Sequence, residues 1–190
     1  MTSRAAEDVE LLNRYLKGDI SAFDELVRAH EDRVFGICLR MMRDRDAALD
    51  AVQETFVTLF RKADRYQAKA AFSTWLYRVT VNTCYDQLRK AQRRRVEPLS
   101  PTAEPPDMHS GDLLDAVELR PDIEKALQEM PVEFRSAIVL VDLEGLALET
   151  AAQILDVPIG TVKSRVFRGR KVLAESLGNL RAGSRHPKDE

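Results

Sequence analysis

Apolar residues recur at three- and four-residue steps along most of the chain, and nowhere do they alternate for long enough to make a strand. Residues 7–18 place Val9, Leu12, Tyr15 and Leu16 on one face before Gly18-Asp19 stops the repeat. Ser21 opens a second helical run over 22–43, with Phe23, Leu26, Val27, Val34, Ile37, Cys38 and Met41 inward, and Asp44-Arg45-Asp46 breaks it. The run 47–63 gathers Leu49, Val52, Phe56, Leu59, Phe60 and Ala63 onto one face, which should be core, and leaves Asp50, Gln53, Glu54, Val57 and Arg61 on the others. A polar loop at 64–70 leads into a helix over 72–95. That helix starts with Phe72, Trp75, Leu76, Val79 and Val81 and ends with Arg89, Lys90, Arg93, Arg94 and Arg95.

Periodicity then disappears. Residues 96–119 hold Pro98, Pro101, Pro105 and Pro106 with Gly111 and a run of acids, a composition that cannot bury enough apolar surface to fold alone. Helical spacing resumes with Ile123, Ala126, Leu127 and Met130, and again after Pro131 with Phe134, Ala137, Ile138, Val141 and Leu143. Two more helices follow, 148–155 and about 162–177, separated by Asp156-Val157-Pro158-Ile159-Gly160, with Thr161 as the expected cap of the second. The expectation is an all-α chain of two small helical domains, 1–95 and 120–180, joined by a flexible, acidic, Pro-rich linker at 96–119 and followed by a disordered tail at 181–190.

Charge sharpens this division. The net of −2 conceals +4 over residues 1–96, where 18 Lys and Arg face 14 Asp and Glu. Residues 97–118 carry −6, from six acids and no Lys or Arg, and residues 119–190 balance at 11 of each sign. Two basic patches and an acidic connector suit a polyanionic partner. The polar first 20 residues do not read as a signal peptide, and no apolar run approaches a membrane span, so a cytoplasmic protein is expected without direct membrane insertion. Cys38 and Cys84 lack a Cys-x-x-Cys or a nearby His cluster and read as reduced, buried thiols. No motif for a nucleophile, a phosphate loop or a metal set is present, so no enzyme, small-molecule substrate, cofactor or metal is expected.

The chemistry that the pattern does offer is recognition. On the last helix Val162, Val166, Gly169 and Leu173 make the buried seam. Lys163, Ser164, Phe167, Arg168 and Lys171 lie rotated away from it, and Arg165 and Arg170 complete a run with no acid before Glu175. A helix of that character after a helix and a tight turn suits major-groove reading, although a cationic stripe alone is more often a solvated face. The loop with Tyr66, followed by a helix with Trp75, Asn82 and clustered arginines, suits unstacked bases, while Trp75 taken alone reads as core. The polar face of 47–63, taken alone, reads as solvated.

In order and in motif the chain resembles the extracytoplasmic-function (ECF) sigma factors of bacterial RNA polymerase. The resemblance covers about residues 8–180 and is strongest in LDAVQETFVTLF (49–60), FSTWLYRVTVNTCYDQLR (72–89) and DVPIGTVKSRVFRGRKVL (156–173). It implies an alternative sigma factor with a region 2-like and a region 4-like domain, which binds core RNA polymerase and directs promoter-specific transcription initiation. It also implies control by an anti-sigma factor, in many relatives a membrane-anchored one. Asp50, Gln53, Glu54, Val57 and Arg61 match the helix that docks on the clamp coiled coil of the polymerase. Tyr66, Gln67, Lys69, Phe72, Trp75 and Asn82 match the pocket for the single-stranded −10 element, with Arg89, Lys90, Arg93 and Arg94 on phosphates. Lys163, Ser164, Phe167 and Arg168 match the face that reads the duplex −35 element, with Arg165 and Lys171 on its phosphates. Two stretches depart from the common pattern: Lys69 stands where the loop usually has an acid, and Ala147-Leu148-Glu149-Thr150-Ala151-Ala152 replaces the usual Ser-Tyr-x-Glu-Ile-Ala. The competing reading is a free-standing helix–turn–helix transcription regulator, which leaves the Trp75 helix and its basic end unexplained.

Overall fold

The computed structural model of the chain describes residues 3–42, 44–96 and 121–183. All regular structure among them is helical: α1 (Ser3–Leu16), α2 (Ile20–Met41), α3 (Arg45–Lys62), α4 (Phe72–Val96), α5 (Pro121–Glu129), α6 (Val132–Ile138), α7 (Leu148–Leu155) and α8 (Ile159–Gly183). A single 3-10 turn, Ala63–Arg65, ends α3, and a π turn, Val139–Leu143, continues α6. The expected linker, beyond its first residue, and the expected tail beyond 183 lie outside the described residues.

The first four helices pack as a bundle around Leu12, Leu26, Val34, Ile37, Met41, Leu59, Phe72, Leu76 and Val81. Asp19, not Ser21, caps α2: its carboxylate accepts from the Ala22 backbone N–H, from Ser21 Oγ at 2.6 Å and from Arg14 Nη2 at 2.7 Å. Hydrogen bonds from Ser21 and Arg14 hold its pKa down to about 2. Asp44 caps α3 through the Ala47 N–H at 2.7 Å. One buried polar pair ties α1 down, with His30 Nε2 2.9 Å from Asp8 Oδ1 and both side chains nearly sealed from solvent.

The expected core face of α3 holds in part: Leu59 and Ala63 are buried and Val52 and Phe56 half-buried against the core, but Leu49 and Phe60 are not core. The buried seam is Ala48, Ala51, Thr55 and Leu59, whereas Leu49 is 42 % and Phe60 53 % exposed. Small residues on that seam let α2 and α4 come close on either side, and Thr55 turns its hydroxyl back to Ala51 O at 2.7 Å. A reading weighted by large apolar residues picks the neighbouring stripe. Phe60 is nevertheless not loose, since its ring meets Tyr15 and Phe23 at centroid distances of 5.6 and 5.4 Å.

In the second domain Pro131 stands just before α6, where a missing N–H costs nothing. The π turn and Gly145, at φ +65°, then swing the chain into α7. Asp156 closes α7 in the left-handed region, at φ +54°. α8 begins at Ile159, three residues before the expected start, because Pro158 O accepts from the Thr161 and Val162 N–H groups. Thr161 therefore lies inside the first turn and is not the cap. The expected seam does pack inward: Val162, Val166 and Gly169 are buried and Leu173 is half-buried.

The two domains share a continuous apolar cluster, in which Met41 of α2 and Met42 just after it accompany Leu127, Met130, Ile138 and Leu140. Polar contacts cross the same boundary. Arg135 of α6, 2 % exposed, donates to Met41 O at 2.6 Å. Tyr85 of α4 and Ser136 of α6 share a 2.7 Å hydrogen bond, and Arg78 Nε of α4 donates to Gln153 O of α7 at 2.9 Å.

Two backbone positions yield tests. A Cβ on Gly169 would lie 2.6 Å from Ile138 Cγ1 and 3.0 Å from Ile138 Cδ1. Gly169→Ala is therefore expected to lower stability by about 1–3 kcal/mol in urea unfolding. Ile138→Ala in the same chain should cost less than the two changes summed, because it clears the space that the new methyl needs. Ala68 holds φ +54° without being glycine. Ala68→Gly is expected to stabilise by about 1 kcal/mol, read from the thermal midpoint followed by Trp75 fluorescence.

Candidate nucleic-acid and partner interfaces

On α8 the side opposite the buried seam carries Lys163, Ser164, Phe167, Arg168 and Lys171, all exposed. Phe167 stands out, with 72 % of its surface free on a helix whose other face is closed. Its neighbours are not equally available. The Arg168 guanidinium sits over the Phe134 ring at 6.0 Å, which holds it in place without neutralising it. Ser164 Oγ donates to Thr161 O at 2.9 Å and keeps acceptor capacity outward. Lys171 stands 3.8 Å from Glu175 in an exposed pair that counts for little.

Two cations of the same run are less free. Arg170 makes a two-pronged ion pair with Asp142, 2.6 and 3.0 Å, which raises its pKa and anchors α8 to the π turn. Arg165 is half-buried and acts electrostatically on Tyr85 of α4. Burial pushes the Tyr85 hydroxyl up, while Ser136 and then Arg165 pull against it. Of the candidates for the −35 element, Arg165 is the one that is half-buried.

The second candidate surface joins the loop 65–71 to α4. Tyr66 is half-buried, donates its hydroxyl to Ala70 O at 2.8 Å and so closes the loop on itself. Its ring packs against Phe72 and Trp75 at 5.7 and 5.8 Å. Phe72 is fully buried and Trp75 half-buried, so they shape this surface from beneath. Under Phe72 lies the His30–Asp8 pair, with the imidazole 5.6 Å from the ring. Gln67, Lys69 and Asn82 are exposed around the aromatic group. Farther along α4, Arg89, Lys90, Arg93 and Arg94 all reach solvent, and Arg89 has only an exposed pairing with Asp86 at 3.7 Å. An aromatic floor with amide and cationic side chains at its rim is the chemistry that holds unstacked bases and their phosphates.

The third surface is α3. Asp50, Gln53, Glu54, Val57 and Arg61 are all exposed, with Val57 at 40 %. Leu49 and Phe60 join them, so the face is apolar patches set among charges and an amide, a composition suited to a helical partner. Sequence reasoning placed these two residues in the core and missed them here; the small-residue seam was the signal that could have found them.

Neither cysteine opens a further site. Cys38 and Cys84 are buried free thiols with sulfurs 3.8 Å apart, and their mutual hydrogen bond, with burial, pushes the Cys38 thiol up. Among the described residues no group of three or more His, Cys, Asp or Glu could hold a metal ion, and no helix is long and apolar enough to cross a membrane.

Comparison with known proteins identifies this arrangement. The family model for Sigma-70 region 2 matches residues 26–94, and that for Sigma-70, region 4 matches residues 120–173. The chain is 35% identical over 185 residues to the RNA polymerase sigma-H factor of Pseudomonas aeruginosa, covering 92% of this chain and 95% of that one. It is 38% identical over 177 residues to the ECF RNA polymerase sigma factor SigM of Mycobacterium tuberculosis, covering 93% and 87%. The ECF RNA polymerase sigma-E factor of Escherichia coli is 34% identical over 188 residues, 94% and 98% of the two chains. Among solved structures, the sigma factor RpoE in complex with the anti-sigma factor NepR from Bartonella quintana matches with TM-score 0.65 and 29% identity, over 82% of this chain and 96% of that one. CnrH in complex with the cytosolic domain of CnrY shares the fold, with TM-score 0.67 over 91% and 98% of the chains at 22% identity. The region 2 and region 4 matches, in that order, and relatives aligned over nearly their whole length place this chain in the family of ECF RNA polymerase sigma factors.

Proposed function

We propose that the chain binds core RNA polymerase through α3, captures the −10 element as a single strand on the loop 65–71 and α4, and reads the −35 element as duplex through α8. Domain limits of 1–95 and 120–180 accompany this reading, as does a cytoplasmic site of action. The polymerase supplies the chemistry and this chain supplies recognition. What carries the reading is Phe167: an aromatic ring 72 % exposed, flanked by Lys163, Ser164 and Arg168, on a helix whose opposite face is buried. A ring so exposed among cations has no folding role to explain it and fits contact with a base edge or a thymine methyl.

On α3, Asp50, Gln53, Glu54, Val57 and Arg61 form the docking face, and Leu49 and Phe60 extend it. A rigid helix with alternating charge and apolar patches can pair with cations of a coiled coil and still bury aliphatic surface. Around the −10 strand, Tyr66 offers the ring nearest the bases, and buried Phe72 with half-buried Trp75 supports it from beneath. Gln67, Lys69 and Asn82 rim it, and Arg89, Lys90, Arg93 and Arg94 track the phosphates. Lys69 at the rim presents a cation to the strand, which suits a base with exposed acceptors or a phosphate. On α8, Lys171 and Arg165 take phosphates. Solved relatives in complex with an anti-sigma factor or with a partner's cytosolic domain support control of this chain by a protein inhibitor.

Transcription in vitro tests the whole reading. Purified core polymerase on fragmented genomic DNA is expected to gain start sites sharing two spaced upstream elements when this protein is added; no new starts, together with failure to co-elute with core, would overturn it. Asp50→Ala with Gln53→Ala is expected to weaken core binding by about 1–2 kcal/mol with the fold intact. Competition for core at the wild-type level would remove α3 as the dock. Arg168→Ala is expected to cost about 1–3 kcal/mol of promoter binding in a sequence-selective way. An equal loss on every upstream sequence would make Arg168 a phosphate contact.

A further inference from the structure

The buried polar pair that ties α1 to α2 stands directly behind the aromatic group of the loop 65–71. Asp8 of α1 and His30 of α2 are both buried. An ionised carboxylate can only accept, so at 2.9 Å the imidazole Nε2–H donates to Asp8 Oδ1. Arg4, itself exposed, reaches the same oxygen at 3.5 Å and donates to Ala29 O at 3.0 Å. With one ring nitrogen held, the plane of the imidazole is set. The ring meets Phe72 at 5.6 Å, tilted by 56°, and Tyr77 at 6.3 Å, edge-on at 73°.

Phe72 needs support of this kind. It is the first residue of α4, so the preceding helical turn on which a side chain ordinarily leans is missing. On its other side stand Tyr66 at 5.7 Å and Trp75 at 6.0 Å, and the loop that Tyr66 closes holds Ala68 at φ +54°. α1 packs against α4 and against the 3-10 turn that leads into this loop. The contacts therefore run from Asp8 to His30 to Phe72 to Tyr66, from a helix with no assigned strand contact to the ring nearest the bases. A tie between helices does not by itself call for a polar pair. Two apolar residues of like volume would hold α1 to α2 at least as firmly. What the hydrogen-bonded imidazole adds is a ring of fixed orientation against Phe72.

We propose that Asp8 and His30 are positioning residues for capture of the single strand: the hydrogen bond between them fixes the His30 ring, which fixes Phe72 and through it Tyr66, so that the affinity of the loop 65–71 for unstacked bases is set from α1. Neither residue touches the strand. Their effect is on the ring that does, as residues behind a site hold the ones in front of it at a working geometry. The inference rests on the single-strand reading of the loop, and its test separates the failure of one from the failure of the other.

Full-length variants are compared by fluorescence anisotropy on a labelled single strand of about 12 nucleotides and randomised sequence, with circular dichroism checking their helical content. Tyr66→Ala tests the reading and is expected to weaken binding about tenfold. Wild-type affinity in that variant would overturn the strand reading of the loop, and this inference with it. Asp8→Ala is expected to weaken binding about fivefold. Asp8→Asn, whose amide oxygen still accepts from His30, should restore what Asp8→Ala loses; a loss in Asp8→Asn as well would overturn positioning by the hydrogen bond. Asp8→Ala added to Tyr66→Ala should cost nothing further, because both act through one ring. A folded Asp8→Ala that binds like the wild type while Tyr66→Ala does not, or losses that simply multiply, would reduce the pair to a tie between helices. Should Asp8→Ala not fold, Asp8→Leu with His30→Phe fills the space without a directed hydrogen bond. The same fivefold loss is expected of it, and wild-type affinity there would overturn the proposal. A last measurement uses no DNA. Trp75 is the chain's one tryptophan, and its emission is expected to move to longer wavelength in Asp8→Ala but not in Asp8→Asn. An unmoved emission in folded Asp8→Ala would overturn the link from α1 to the aromatic group.

Discussion

One buried guanidinium holds the two halves of this molecule in register. Arg135 of α6 reaches Met41 O at the end of α2, and Gln128 O and Met130 O at the end of α5. The last carbonyls of a helix have no partner within it and carry the negative end of its dipole. A cation with five donors in a fixed fork answers several such groups at once. A Leu in its place would fill part of the volume and leave those carbonyls without a donor away from water. Because Met41 belongs to the first domain and Gln128 and Met130 to the second, the local need to finish two helices also fixes the contact between domains. The apolar cluster around Met41, Met130 and Ile138 can close only where that fork fits.

Helices and their order were legible from periodicity, because eight amphipathic segments separated by Gly, Pro and Asp leave few other solutions. The face that each helix buries was less secure. α8 was read correctly, since Val162, Val166 and Gly169 oppose a polar stripe without ambiguity. α3 was misread because its true seam, Ala48-Ala51-Thr55-Leu59, is small. Hydrophobic size reports what a residue would gain by burial, not how closely two helix axes approach. Close packing favours small residues, and the large ones are then left on the flanks, where Leu49, Val57 and Phe60 give the exposed surface its apolar content. A chain that must dock on another protein can therefore look more core-like in sequence along its docking stripe than along its core.

What no pattern in the sequence announced is the pairing of charges at long range. Glu144 lies over a hundred positions from both Arg33 and Arg40, and each in isolation is an unremarked residue. Their meeting depends on the π turn, which adds a residue to the helical count and sets Glu144 beside α2. Ala68 is the opposite case: a position where the local sequence disagrees with its backbone. An alanine at φ +54° is retained because Tyr66 closes the loop onto Ala70 O and stacks on Phe72 and Trp75, so the aromatic floor imposes the turn on the residue that must make it.

The basic run of α8 shows why a count of cations says little about which of them read DNA. Five positive residues fall between 163 and 171, and the fold gives them different tasks. Arg170 is committed to Asp142 and so holds α8 against the turn behind it. Arg165 is half-buried. Arg168 is positioned over Phe134 but keeps its charge, and Lys163 and Lys171 extend into solvent. The last three are exposed. A charge pattern that looks uniform along the chain becomes, once folded, one structural anchor, one half-buried cation and three that face outward, because successive positions on a helix point in different directions and only some of them meet a carboxylate of the same chain.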